Sequence, residues 1–196
     1  MTLENFGLDS SWLVVGLIPF MFGLVFLHET ITQERTLNAA ENGPFDLAVN
    51  PISFLLLHVR AEATVNPADF AQLLGHIQSV QVTFKGTQIM NVSGVDLARL
   101  VHQIWGRSIP IENFSTVAPG LVSFTLPIPF SRKPYWSKEA FPATRRGELT
   151  YTVTRTAGLT NIANPVFSLE AVQMLEAEPT QFLKMVTLSR AIVAGD

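Results

Sequence analysis

The side chains that could do chemistry in this chain are few and scattered. Its four histidines, His28, His58, His76 and His102, share no metal-ligand spacing. His58 sits in an apolar run, which predicts a histidine satisfied within a core or an interface rather than a ligand. Without any cysteine, disulfides, thiolate catalysis and cysteine-ligated zinc are excluded. No Gly-x-Ser-x-Gly elbow, P-loop or dinucleotide fingerprint occurs. No catalytic, metal or cofactor-binding residue is assigned, and the chain is not expected to be an enzyme. What remains is charge and aromatic surface. Ser131-Arg132-Lys133 and Arg145-Arg146 are the main basic clusters, and Glu176 and Glu178 lie in a turn. Read plainly, these are solvated loops with weak ion pairs. The sharper expectation is a contact between subunits, basic loop against acidic turn, or a cation held between subunits by the glutamates. Tyr135 and Trp136, in the same basic loop, are of the type that anchors interfaces.

The elements that must position these residues read mostly as strands. Val122, Phe124 and Leu126 alternate, as do Leu149, Tyr151 and Val153, which predicts strands with one buried face. Pro127 and Pro129 cannot donate to a ladder and place the first strand's end at a sheet margin. Residues 52–65 predict a long strand with a centre buried on both faces. Residues 76–84 and 88–92 predict a hairpin around Lys85-Gly86-Thr87. Two short helices are predicted. One starts at Asn66-Pro67 and ends near Gly75; the other is capped by Ser93, with Asp96 at its third position and Gly106 as its stop. Residues 109–119 read as a loop and 161–165 as a turn. Residues 167–175 and 182–191 are expected to pair as the last two strands.

Ser10 to Leu27 carries no charge. As a helix, roughly 18 residues span about 27 Å, near the lower limit for a hydrocarbon core of about 30 Å. Trp12 would sit at one interface and His28-Glu29 at the other. A secretory signal fits poorly, since Glu4 and Asp9 precede the segment without a Lys or Arg. The segment predicts a membrane-inserted helix, or else an apolar strand or arm packed on a neighbouring subunit. Residues 1–41 are thus expected to be this anchor or arm plus a linker, and 42–196 a single all-β domain.

Bulk composition agrees with a chain covered by neighbours or lipid. Of 196 residues, 47% are hydrophobic and only 15% charged, with mean hydropathy +0.29. A formal charge of −3 gives no basic footprint for nucleic acid. Twelve prolines and fourteen phenylalanines among short alternating runs suit an all-β barrel or sandwich.

The stretch from Gly120 to Val153 resembles the jelly-roll major capsid proteins of tailless icosahedral double-stranded DNA viruses with an internal membrane. Its strand ends in Leu126-Pro127-Ile128-Pro129-Phe130, followed by Ser131-Arg132-Lys133-Pro134 and then Phe141-Pro142-Ala143. Val80 to Leu100 adds the strand, Lys-Gly turn, short strand and Asp-Leu helix seen in capsid proteins of tailless bacteriophages. The resemblance covers most of residues 45–190 and no part of the N-terminal segment. It implies a single eight-stranded viral jelly roll with two short helices and an N-terminal apolar helix or arm. It implies a virion protein that assembles with copies of itself and other capsid proteins. It would touch the internal membrane lipid through Trp12–Leu27 and make no direct contact with nucleic acid. Many members of the lineage carry two fused jelly rolls, whereas this chain has room for one. It would be either one of two single-barrel major capsid proteins or a minor or vertex protein. A membrane-anchored β-sandwich domain of a cell, binding carbohydrate or a protein, is the alternative from another class.

Overall fold

The computed structural model describes residues 25–38, 40–64, 73–114, 120–157 and 162–186. Its architecture grows from one tight turn. Strands β4 (Ile77–Phe84) and β5 (Thr87–Val92) are antiparallel and joined by Lys85-Gly86. Both turn residues have left-handed φ, 49° and 77°, the geometry that matches the twist of the flanking strands. A glycine at the second position takes it without strain. Outside this turn the chain doubles back in nested antiparallel pairs. β3 (Ile52–Ala63) pairs with β7 (Gly120–Pro129), β2 (Glu41–Asp46) with β8 (Leu149–Arg155), and β1 (Val25–Thr36) with β9 (Ile162–Leu175).

Two further pairings, β3 with β9 and β4 with β8, wrap this nested hairpin into a sandwich. Short strands β6 (Ile111–Phe114) and β10 (Met185–Val186) extend the sheets. The sheet orders are β1-β9-β3-β7-β6 and β10-β5-β4-β8-β2. Without β6 and β10, this is an eight-stranded jelly roll. The core lies between the sheets and is filled by alternate residues. Leu55, Leu57 and Val59 of β3 and Leu169 and Ala171 of β9 face Val80 and Val82 of β4 and Leu149, Tyr151 and Val153 of β8.

Helix α1 (Gly94–Trp105) contacts both β7 and β4. Ser93 caps it, accepting from the Asp96 N–H at 3.1 Å, and it ends at Gly106, whose N–H donates to the His102 carbonyl. Leu97 and Val101 are buried on one face of it, four residues apart. Gly94 is where helix and sheet meet. A Cβ there would stand 2.6 Å from the Leu74 carbonyl oxygen and 2.8 Å from the Ile77 Cβ.

Several expectations need correction. Val25–Leu27, the end of the apolar segment, form a strand with β9 rather than a helix, because residues 173–175 offer a free ladder. The polar stretch after it, expected as an extended linker, is largely strand, within β1 and the start of β2. The rest of the apolar segment lies outside the described residues, as does most of the helix expected after Asn66. Among the described residues no helix is long and apolar enough to cross a membrane. Residues 111–114 form β6 in the expected loop, and residues 162–165 belong to β9 in place of the expected turn. β9 pairs with β1 and β3, not with the segment after it, and Met185–Val186 cross to the other sheet to run parallel to β5. Finally, β7 is buried on both faces from Val122 onward, not on one.

The prolines of β7 do sit at a margin. Phe130 donates its N–H toward β3, to the Ser53 carbonyl at 3.0 Å, whereas Thr125 donates to the Pro110 carbonyl on the opposite side, also at 3.0 Å. Alternation puts the nitrogens of Pro127 and Pro129 on Thr125's side, past the last β6 pairing at Phe124, so no ladder bond is lost.

Candidate functional site

The nested topology brings the segments singled out in the sequence to one end of the sandwich. Here lie the start of β1, the Lys85-Gly86 turn, residues 130–148 between β7 and β8, and residues 176–184 after β9. The 12-residue β3 separates this end from the other by about 40 Å.

The motif residues explain how the 130–148 connection is held. Phe141, fully buried, exchanges two backbone hydrogen bonds of 2.9 Å with Ile52. Its ring packs against Phe84, Phe130 and Phe182, with centroids 5.3, 5.4 and 4.8 Å away. These rings tie both sheets and the last segment together beneath the loop. Ser131 is buried; its hydroxyl donates to the Lys133 carbonyl at 2.7 Å and its carbonyl accepts from Trp105 Nε1 at 3.2 Å. Glu139, only 3% exposed, accepts from the backbone N–H of Arg132 at 3.2 Å and from its Nε at 3.0 Å. A buried carboxylate needs such partners, so this pair shapes the loop.

The loop so held presents Tyr135 and Trp136. Tyr135 adopts a left-handed φ of 61° and donates its N–H to Ser53 Oγ at 3.0 Å. Its ring stands between Phe54 and Phe26, at 5.3 and 4.6 Å, both edge-on, and stays 44% exposed. Arg132 and Lys133 lie over the Trp136 ring, 5.7 and 5.8 Å from its centroid. Val25, Phe26 and Leu27 are each more than 40% exposed beside this rim.

The expected basic and acidic clusters do reach the same end. The backbone N–H of Thr180 donates to the Lys138 carbonyl at 3.1 Å and that of Ala140 to the Gln181 carbonyl at 3.0 Å. Their ion pairs, however, are with other residues. Arg132 pairs with Glu139, Arg146 with Asp46 at 3.8 Å, and Lys85 with Glu148 at 3.4 Å. The Arg145 backbone N–H, 3.0 Å from Glu148, and then Lys85 hold the Glu148 carboxyl below the usual carboxylate range. Glu176 and Glu178 form no ion pair among the described residues. Glu139 and Phe26 had no sequence signal: one reads as another loop charge, the other as part of the apolar segment.

The histidines stay apart, His28 on β1, His58 on β3, His76 before β4 and His102 on α1. Among the described residues no three potential metal ligands come together. His58 Nδ1 lies 2.8 Å from Thr125 Oγ1, and Nε2 lies 3.6 Å from a Glu170 oxygen. An open groove of about 350 Å³ passes beside it over the outer face of the sheet, lined by Glu34, Arg60, Ser123 and Ser168 among others. Arg60 is tied to Glu34 by an ion pair there.

No protein-family model and no curated protein matches the sequence. Solved structures do match. The chain is similar to the major capsid protein of STIV, with 17% identity, a TM-score of 0.56, and coverage of 76% of this chain and 48% of that one. A chain from the atomic structure of Sulfolobus Turreted Icosahedral Virus gives 13% identity, a TM-score of 0.57, and coverage of 76% and 45%. The PBCV-1 major capsid protein VP54, fitted into a reconstruction of the virophage Sputnik, gives 13%, 0.55, and coverage of 78% and 43%. The chain thus spans less than half the length of the proteins it matches. At these identities the likeness is one of architecture: the chain has the jelly-roll fold of these viral major capsid proteins.

Proposed function

We propose that this chain is a structural subunit of a virion. It is a single jelly roll that assembles, with copies of itself and with other capsid proteins, into an icosahedral shell around a membrane. The observation that carries this reading is the jelly-roll sandwich, which is similar in fold to viral major capsid proteins over three quarters of the chain. The described residues form one barrel and match 43–48% of the length of those proteins. The work of such a protein is assembly, not turnover. The sandwich is a rigid block, and edges and loops meet neighbours by shape and apolar burial. The uncharged segment from Ser10 would tie the block to internal membrane lipid. Contact with nucleic acid is no part of the reading, since the membrane separates shell from genome.

Size-exclusion chromatography with light scattering on residues 25–196 tests it. The cut falls before Val25 because a cut after Leu27 would remove three rungs of β1. Trimers, hexameric rings or larger species are expected. A monomer at high concentration would contradict self-assembly and point to a minor component or a cellular binding domain.

A further inference from the structure

Asn42-Gly43 is the one Asn-Gly step in the chain. In such a step the glycine nitrogen can attack the asparagine carboxamide, because no side chain hinders it. The fold nevertheless requires both residues. Gly43 adopts a φ of 135°, and a Cβ there would stand 2.8 Å from the Tyr151 carbonyl oxygen and 3.0 Å from Thr152 Oγ1. Asn42 is 7% exposed and closes the corner between β1 and β2. Its Nδ2 donates to the carbonyls of Ala40 at 2.8 Å, Asn38 at 3.1 Å and Val153 at 3.2 Å, and its Oδ1 accepts from the Asn38 N–H at 3.0 Å. The carboxamide is therefore held by residues that precede it and by β8, and attack needs those bonds released. Local opening is available there. β2 is the edge of its sheet, pairs only with β8, and has an irregularity of register between Asn42 and Phe45. An open groove of about 340 Å³ reaches both residues, so water is at hand.

We propose that Asn42 is a deamidation site gated by the fold, and that its conversion makes opening of the β1–β2 corner irreversible. While the corner is closed, its hydrogen bonds hold the carboxamide out of reaction. When it opens, the Gly43 nitrogen bonds to the Asn42 side-chain carbonyl carbon and gives up its proton. The bond from that carbon to the amide nitrogen breaks, and ammonia leaves with the proton. Water then opens the succinimide at either carbonyl, giving aspartate or isoaspartate. Neither product reseats. The aspartate carboxylate meets three carbonyl oxygens with no hydrogen to donate, and keeps only the Asn38 N–H as a partner. Isoaspartate lengthens the backbone by a methylene and displaces β2 against β8. A subunit that has opened once is thereby marked and kept from the closed sandwich, whatever it assembles into.

The test uses the full chain at mildly alkaline pH, in buffer and in concentrated urea. Peptide mass spectrometry that separates aspartate from isoaspartate follows position 42. Conversion is expected to be at least about tenfold slower in buffer than in urea. Chains converted in urea and returned to buffer should have a lower urea midpoint than unconverted chains taken through the same cycle. They should also show faster amide exchange in Glu41–Asp46. Asn42→Asp, expressed directly, keeps this arm independent of refolding: a lower midpoint or a failure to fold is expected. Equal rates in buffer and urea would overturn the gate, since the carboxamide would not be held. No conversion in urea would overturn the site itself. Parental stability and exchange in the converted chain and in Asn42→Asp would overturn the irreversibility.

Discussion

The Tyr151 hydroxyl donates to Thr32 Oγ1 at 2.9 Å, joining β8 of one sheet to β1 of the other in the buried interior. β1 is an edge strand, exposed along nearly all its length, and Thr32 is its one buried residue. Thr32 also sits between two irregularities of register with β9. The bond therefore fastens the edge strand that leads into the apolar segment at the point where its ladder is interrupted.

Tyr151→Phe should cost about 1 kcal/mol at neutral pH, the usual net worth of one such bond. It should also change the alkaline limb. Burial first, against the Thr32 bond and Arg35, pushes the Tyr151 phenol up to about 12 in the folded chain, whereas the unfolded chain ionises near 10. The raised folded value means this contribution is whole below pH of about 10 and is lost as pH rises toward about 12, roughly 1.4 kcal/mol per unit. Urea denaturation across that window should show a slope in the parent that Tyr151→Phe lacks.

Glu139→Ala removes a buried acceptor of three contacts from Arg132. The Arg132 side chain is 56% exposed, so solvent screens part of the pair and the cost should be only about 1–2 kcal/mol. The local effect should exceed the global one. Limited trypsin digestion should cut after Arg132 faster in the variant, with the sandwich still folded by circular dichroism. Unchanged cleavage would mean that the aromatic cluster alone holds the loop.

Gly94→Ala drives a methyl into the Leu74 carbonyl and Ile77. Backbone there cannot yield as a flexible side chain would. Loss of about 1–3 kcal/mol is expected, despite alanine's better helix propensity, in thermal or urea unfolding. Equal or greater stability would show that α1 can lift off β4 freely.

Much of the sandwich was legible because period two survives wherever one face meets the core. Leu149, Tyr151 and Val153 face inward as their alternation requires, and Ser93 to Gly106 carries both helix caps in its sequence. The edges were less legible. β1 is exposed along nearly all its length, so its polar residues gave no alternation and read as a linker. β7 is covered on both faces, so Ser123 and Thr125 read as solvent-facing although only 5% exposed. The partner of β9 is set by long-range wrapping, which spacing along the chain does not encode. At the candidate site, the Leu-Pro-Ile-Pro-Phe and Phe-Pro stretches could be located but not explained. Their role emerges only when Phe130 and Phe141 meet Phe84 and Phe182 from other segments. The pairing of Arg132 with Glu139 within the chain depends on the path of the loop, not on charge.

Electron microscopy of concentrated residues 25–196, alone and with the full chain on anionic vesicles, tests the central claim most directly. The account predicts ring-shaped capsomers or ordered shells, and on vesicles a bound layer of barrels. Dispersed single barrels under both conditions, at concentrations where shell proteins associate, would contradict it.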